Sequence, residues 1–219
     1  MKEKTKYYYL ELPKGYVKQK VIDAKKTSTA IIFTLVSFVM AFAVIFLLMS
    51  IKKFSINDFA SDRLRAAGSM LIMIVSYIAY IIIHELTHGI GYKLFTREKL
   101  KFGVTLTCAF CGVPNAYVKK WPAFITTLLP FTVYTIIFLP ICLITNNIDV
   151  LFIFGLLFAF HFAGCVGDLY VALYLLFVAP KDVLVNDDGA KQEFYVFSEK
   201  KYQEALAKEN NEATLPSES

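Results

Sequence analysis

Four long stretches with almost no charge constrain the fold of this chain more than any other feature. Thr27 to Ile51 and Trp121 to Ile148 contain no Asp, Glu, Lys or Arg, and Ala66 to Tyr92 and Val150 to Ala179 contain one acid each. A helix needs about 20 mostly apolar residues to cross a bilayer, and each stretch is longer than that. The pattern predicts an integral membrane protein with four transmembrane helices.

The composition excludes several other classes of protein. Hydrophobic residues make up 57% of the 219 residues and charged residues only 19%, whereas a soluble domain is about 45–50% apolar and about 25% charged. A disordered chain, an ordinary cytosolic enzyme and a basic nucleic-acid-binding protein are therefore excluded, and no nucleic-acid partner is expected. The four cysteines lie in or beside the spans or on the predicted cytoplasmic side, so no disulfide framework is expected.

The basic residues are distributed unevenly between the two sides of the predicted membrane domain. With four spans, both termini and the loop 93–120 share one side, which carries 19 Lys and Arg against four on the other side. The positive-inside rule places that side in the cytoplasm. We therefore expect a multi-pass plasma-membrane protein with both termini cytoplasmic and its basic residues facing an anionic lipid leaflet.

The chain divides into three parts by these criteria. We predict a cytoplasmic segment at 1–26, a four-span membrane domain at 27–179, and a cytoplasmic hairpin with a disordered tail at 180–219. The fold class expected is an all-α membrane protein whose small C-terminal hairpin lies within 183–197. Oligomeric state does not follow from the sequence.

The uncharged segment Phe102–Val118 lies between the second and third spans and is too short to cross a bilayer as a helix. It is rich in Gly, Thr, Cys and Pro, and it alternates in part like a strand. Two interpretations stay open: a re-entrant or half-buried β-like element, and a plain cytoplasmic loop.

The second span contains the pentapeptide His84-Glu85-Leu86-Thr87-His88. Histidines four residues apart lie on one face of a helix, about 6 Å apart along its axis, so both can reach one metal ion. In zinc peptidases with this pattern the glutamate is the general base rather than a ligand. A chance match in a chain with three His and ten Glu is expected at roughly 0.002. The alternative is a polar patch that hydrogen-bonds to other spans.

A catalytic zinc ion usually takes a third protein ligand, and the fourth span offers His161 and Asp168. The two are about 10 Å apart along a regular helix, so both cannot bind one ion. Asp168 lies nearer in predicted depth to the histidine pair. Gly164 and Gly167 have no side chains, so the second span could pack close to the helix beside Asp168. We expect Asp168 as the third ligand and keep His161 as the second candidate, although a satisfied core histidine is the simpler interpretation of His161.

Two further features give weaker indications. Cys108 and Cys111 form one C-x-x-C pair, which is a weak signal alone because a structural zinc site needs four such ligands and the sequence has no second pair; a redox role stays open. Asn115 follows Pro114 and could hydrogen-bond a substrate backbone, although a turn asparagine is the more common interpretation.

The set of motifs resembles known families of membrane proteins. A membrane helix with His-Glu-x-x-His, an uncharged β-like segment after it and an Asp in a later span resemble the site-2-type intramembrane zinc proteases. The closer similarity, over roughly residues 70–197, is to a family of small bacterial membrane proteins called putative zincin peptidases. The segments that carry this similarity are HELTHGIGY, FGVT to CGVP, GCVGDLY and the hairpin that ends in FYVF.

The resemblance implies that His84, His88 and Asp168 bind zinc and that Glu85 is the catalytic base. One detail differs: site-2 proteases usually carry their aspartate before Gly and after Asn-Pro or Leu, whereas Asp168 stands between Gly167 and Leu169.

We therefore expect a membrane-embedded, zinc-dependent endopeptidase of the bacterial plasma membrane that hydrolyses a membrane protein or peptide in or next to the bilayer. The alternative is a catalytically silent, metal-binding membrane scaffold or a chaperone-like partner. A transporter is disfavoured because the four spans carry few ionisable groups and no visible repeat.

Overall fold

The structure is a computed structural model that describes residues 6–105 and 108–213. Long apolar helices alternate with short strands along the described ranges. The helices are α1 (Thr27–Lys52), α2 (Ile56–Ala60), α3 (Arg63–Thr96), α4 (Lys120–Ile144), α5 (Ile148–Gly164), α6 (Val166–Leu173) and α7 (Glu199–Ala213), and a π-helical turn (Tyr174–Val178) follows α6. The strands are β1 (Tyr8–Tyr9), β2 (Tyr16–Asp23), β3 (Lys101–Val104), β4 (Ala109–Lys119), β5 (Leu184–Asp187) and β6 (Lys191–Phe197).

Three helices, α1, α3 and α4, are long and apolar enough to cross a membrane. The pair formed by α5 and α6, with the π-helical turn, makes a fourth if it is counted as one span, but it is bent by 44°. The predicted fourth span is therefore not one continuous helix. The break falls at Cys165, between Gly164 and Gly167, where two residues of low helix propensity weaken the helix.

The outer surfaces of the long helices are strongly apolar. Many large side chains of α1, including Ile31, Phe38 and Phe46, are more than half exposed. Water would not favour an apolar surface of this extent, whereas hydrocarbon would. The helices are thus consistent with a membrane protein.

A six-stranded antiparallel sheet, in the order β1-β4-β5-β6-β2 with β3 also paired to β4, is the main departure from the predicted all-α class. The sheet joins three regions that are far apart in sequence. Tyr8 pairs with Val118 on β4, and β2 pairs along its whole length with β6. The sequence predicts β structure between the second and third spans and in the C-terminal hairpin, but it does not predict that these regions share one sheet with the N-terminal segment.

The segment Phe102–Val118 contains β3 and most of β4, which form an antiparallel hairpin. The predicted β-like element is therefore confirmed, and the alternative of a plain loop is wrong. The tip of the hairpin, Leu106 and Thr107, lies outside the described residues. The predicted C-terminal hairpin is present as β5 and β6, with Gly189 at φ +89° in its turn. A helix, α7, follows it, and the predicted disordered end at 214–219 lies outside the described residues.

Two apolar clusters form the interior. One lies between the sheet and α6, and it contains the fully buried Val113, Leu175 and Phe194. The other lies among the long helices and is rich in aromatic rings, including Tyr80 and Phe138. The histidine pair of α3 lies on the same helix as Tyr80, one turn further along.

Candidate active site

The two motif histidines project from the same face of α3, with ring centroids 5.0 Å apart. Both side chains are buried, at 7% relative exposure each. This placement follows from the four-residue spacing, which turns both imidazoles toward one side of the helix. They face α6 rather than the outer surface of the molecule.

Asp168 of α6 reaches both histidines with a single carboxylate oxygen. Its Oδ2 lies 3.3 Å from Nε2 of His84 and 3.4 Å from Nε2 of His88. The ligand atoms of these three residues all lie within 4.8 Å of one another. The structure thus brings together the three residues that the sequence predicts as metal ligands, and the break at Cys165 sets the direction in which α6 presents Asp168.

The hydrogen bonds behind the two rings leave both Nε2 atoms directed at Asp168. Nδ1 of His88 lies 3.0 Å from the carbonyl oxygen of Thr126, which can only accept, so Nδ1 carries the proton and Nε2 offers a lone pair. Nδ1 of His84 lies 2.9 Å from the hydroxyl of Tyr80. Lone pairs and a carboxylate facing one another repel unless a cation lies between them.

A zinc ion fits this donor set by distance as well as by chemistry. Zinc binds imidazole nitrogen and carboxylate oxygen at about 2.0–2.2 Å in tetrahedral geometry, which separates neighbouring ligand atoms by roughly 3.3–3.5 Å. The two nitrogen–oxygen separations, 3.3 and 3.4 Å, match that value. Two neutral imidazoles and one carboxylate also leave a fourth position for water or substrate.

Glu85 lies next to the three candidate ligands but is not part of that group. Its carboxylate hydrogen-bonds to the backbone of Cys111 on β4 and lines the same cavity as both histidines. The hairpin that follows α3 therefore covers the glutamate, and a carboxylate held beside a metal position without binding it is suited to accept a proton.

The site opens into a cavity of about 420 Å³. Elements from every part of the chain contribute to it, including α1, α3, β4 and the β5–β6 turn. Its polar lining includes His84, Glu85, His88, Asp168, Asp187 and Gln192. The volume lies within the usual range for sites that take small molecules or short peptide segments.

His161 and Asn115, the two secondary candidates, do not join the three ligands. His161 is fully buried on α5 and bonds through Nδ1 to the Tyr80 hydroxyl at 2.7 Å. It lies within reach of His84 and Cys165 as a second group of ligating atoms, but the Tyr80 hydroxyl stands between the two imidazoles. Asn115 is exposed on β4 and is not among the residues that line the cavity.

The C-x-x-C pair does not form a disulfide, since Cys108 and Cys111 are both free thiols. Burial raises the pKa of the Cys111 thiol to about 12, and the nearby Glu85 and Asp187 add to the shift. Because thiol chemistry requires the thiolate, this shift disfavours Cys111 as an attacking thiol.

Two functional contacts are not predicted from the sequence. Tyr80 lies four residues before His84, and that spacing is a usable signal for a hydrogen bond on one helix face. The carbonyl of Thr126 gives no signal at all, since any residue type has one. It reaches His88 because a side chain at Gly91 would meet Thr126, so that only glycine lets α4 pack this close to α3.

A comparison with models of protein families gives a match to part of the chain. A family model described as "Putative zincin peptidase" matches residues 77–184, a range that includes the histidine pair, Glu85 and Asp168. No curated protein and no solved structure matches the chain. The match supports a likeness to the zincin peptidases, which are metallopeptidases that use zinc.

Proposed function

We propose that this protein is a membrane-embedded zinc endopeptidase of the His-Glu-x-x-His type, distantly related to the site-2-type intramembrane proteases. The observation that carries the proposal is the convergence of Nε2 of His84, Nε2 of His88 and Oδ2 of Asp168, with both nitrogen–oxygen distances at tetrahedral ligand spacing. The family match to zincin peptidases over the same residues supports it.

The residues divide into ligands and a base. His84, His88 and Asp168 would hold the zinc ion, which when bound would act as a Lewis acid toward a peptide carbonyl and would lower the pKa of water toward neutral pH. Glu85 accepts that proton and later returns it to the leaving amine. The hydrogen bond from the Cys111 backbone keeps the Glu85 carboxylate in place for both transfers.

The substrate we propose is a membrane protein or a peptide held at the membrane. An α-helical substrate hides its peptide groups in internal hydrogen bonds, so the cleaved segment must be extended within the cavity. Backbone groups of that segment need polar partners when water is scarce. Gln192 lines the cavity, and its Oε1 is buried with no partner among the residues that the structure describes, so it can accept such a bond.

The experiment that tests this function compares membrane-derived fragments released by cells that carry the wild-type protein or Glu85→Gln. The variant keeps the shape of the side chain and all three ligands, but it cannot accept a proton. We expect released fragments only with the wild type, a loss of about 100-fold or more in cleavage, and normal zinc content in the variant. Full activity of Glu85→Gln would overturn the assignment.

The second candidate function is a silent metal-binding scaffold. An intact Glu85 argues against it, because a scaffold has no need of a general base next to a metal position. Metal analysis separates the two in part: a protein that is purified without zinc, and that folds normally with His84→Ala, would favour the scaffold.

A further inference from the structure

The hydrogen bonds behind His84 continue beyond Tyr80. The Tyr80 hydroxyl lies 2.9 Å from Nδ1 of His84 and 2.7 Å from Nδ1 of His161. Nε2 of His161 then lies 3.2 Å from the carbonyl oxygen of Phe131 and 3.1 Å from the hydroxyl of Thr135. A continuous chain of contacts therefore connects a candidate zinc ligand on α3 to the backbone of α4.

The direction of each hydrogen bond from His161 back to His84 follows from the last contact, between His161 and the Phe131 carbonyl. The Phe131 carbonyl can only accept, so Nε2 of His161 carries a proton. His161 is fully buried and is ringed by Phe131, Phe138, Phe158 and Phe162, an environment that favours the neutral imidazole. Its Nδ1 is then an acceptor, and the Tyr80 hydroxyl must donate to it.

The same logic fixes the state of His84. With its proton committed to His161, the Tyr80 oxygen can only accept from His84, so Nδ1 of His84 carries the proton. Nε2 of His84 is left with a lone pair, and this is the atom that faces Asp168. The Thr126 carbonyl fixes the tautomer of His88 directly. The tautomer of His84 is instead fixed by His161, which acts through the Tyr80 hydroxyl.

We propose that Tyr80 and His161 are positioning residues that hold His84 in the tautomer able to bind zinc. The inference rests on the proposed zinc site and goes beyond it, because it gives the third histidine a role other than that of a ligand. Without His161, the Tyr80 hydroxyl is free to donate to Nδ1 of His84. That bond stabilises the opposite tautomer, whose Nε2 carries a proton and cannot bind a metal ion.

The competing interpretation of the same atoms is a second metal position formed by His84, His161 and Cys165. A cation there would have to displace the Tyr80 hydroxyl, which already bonds to both imidazoles. It would also require His84 to give up its Nδ1 proton. The positioning role therefore predicts one zinc ion per chain, and a second ion lost in His161→Phe would overturn it.

The first test measures zinc affinity by competition with a chromophoric chelator in Tyr80→Phe and Tyr134→Phe. Each change removes one buried hydroxyl, and the two rings lie 5.3 Å apart, but the Tyr134 hydroxyl bonds to Thr87 and not to a ligand. We expect about 10–100-fold weaker binding for Tyr80→Phe and little change for Tyr134→Phe. Equal losses in the two variants would mean a merely structural role and would overturn the proposal.

The second test is a double-mutant cycle on the same zinc affinity. His161→Phe replaces the imidazole with a ring that suits its aromatic surroundings, and the Tyr80 hydroxyl then has His84 as its partner. We expect His161→Phe alone to weaken zinc binding at least as much as Tyr80→Phe. In the double variant, removal of the hydroxyl should cancel the effect of His161→Phe, leaving the affinity of Tyr80→Phe alone.

Additive losses in the double variant would contradict the proposal, since independent packing defects add. The failure of the zinc site itself has a different signature, because the wild-type protein would then bind no zinc in the same titration. A melting temperature for each variant shows that the affinities are compared between folded proteins.

Discussion

At the scale of single residues, Asp187 is a buried carboxyl outside the long helices whose pKa is shifted by its surroundings. It is 3% exposed and accepts hydrogen bonds from Tyr92, Gln192 and the backbone of Gly189. Burial raises the pKa of Asp187 to about 6, although these three bonds favour the charged form and oppose the shift. This carboxyl ties the β5–β6 turn to α3 one helical turn beyond His88.

The raised pKa predicts how Asp187 affects stability as pH changes. The stabilisation due to the neutral carboxyl is complete below its unfolded pKa of about 4 and is lost as pH rises through about 6. The contribution of Asp187 to the free energy of unfolding falls by about 3 kcal/mol, at 1.36 kcal/mol per pKa unit. Asp187→Asn cannot ionise, so its melting temperature should fall less between pH 4 and pH 8 than that of the wild type. Parallel pH profiles for the two proteins would contradict this prediction.

Much of the candidate site can be predicted from single residues. The spacing of His84 and His88 and the rarity of acids inside apolar runs lead to the pair and to Asp168, because a helix has a fixed period and an unpaired charge in a membrane is costly. Tyr80, the Thr126 carbonyl and the Cys111 backbone cannot be predicted in the same way. Their roles depend on which helix or strand packs against α3, and no local pattern contains that information.

At the scale of elements, the close approach of α3 and α4 is set by Gly91. A Cβ atom at this position would lie 2.9 Å from Cγ2 and 3.2 Å from Cα of Thr126, so α4 would have to move. The carbonyl of the same Thr126 holds Nδ1 of His88. Packing between these two helices and orientation of a candidate metal ligand are therefore coupled.

Gly91→Ala tests this coupling, and Gly68→Ala on the same helix is its matched control. A Cβ at Gly68 meets nothing within 4 Å, so the control should be neutral or more stable by up to about 1 kcal/mol through helix propensity. Gly91→Ala should lower the melting temperature and weaken zinc binding by about 10-fold or more, because the bond behind His88 is disturbed. Wild-type zinc affinity in Gly91→Ala would show that the contact does not orient the ligand.

The sequence predicts where the long helices lie better than it predicts whether each helix is unbroken. The apolar runs give α1, α3 and α4 to within a few residues, since length and hydropathy are local properties. The break at Cys165 is not predicted, although Gly164 and Gly167 flank it, because glycine is tolerated in helices packed within a membrane. That break is what orients Asp168 toward α3.

At the scale of the whole molecule, the sheet and two polar contacts mark opposite ends of the helical bundle. Strands from the N-terminal segment, from the region between α3 and α4, and from the region after α6 share one sheet. At the other end, Lys52 donates to the Leu143 carbonyl at 3.0 Å, and Arg65 pairs with Asp149 at 2.7 Å. One sheet cannot lie on both sides of a bilayer, so this arrangement predicts that α4 and the bent α5–α6 pair both cross.

Single-cysteine labelling tests this topology. We predict that cysteines introduced at Asn57 and Asn146 react with a membrane-impermeant maleimide on intact cells, whereas one at Lys200 reacts only after lysis. All three positions are exposed in the structure, and the positive-inside rule places Lys200 in the cytoplasm. Labelling of Asn146 and Lys200 from the same side would mean that the α5–α6 pair does not cross.

The assembly of the sheet is the part of the fold that the sequence does not predict. The segment between α3 and α4 shows strand-like alternation, but β1 pairs with β4 across more than 100 residues, and β2 pairs with β6 across about 170–180. Pairing at such separations depends on the arrangement of the helices between the strands, whereas alternation shows only that a segment has a strand-like period.

The measurement that tests the central claim most directly is the zinc content per chain of purified, folded protein. The account predicts one zinc ion in the wild type, one in Glu85→Gln and close to none in Asp168→Ala, because Asp168 is a ligand and Glu85 is not. A wild-type protein that folds without zinc and binds none on titration would contradict it, as would an Asp168→Ala variant that retains a full equivalent.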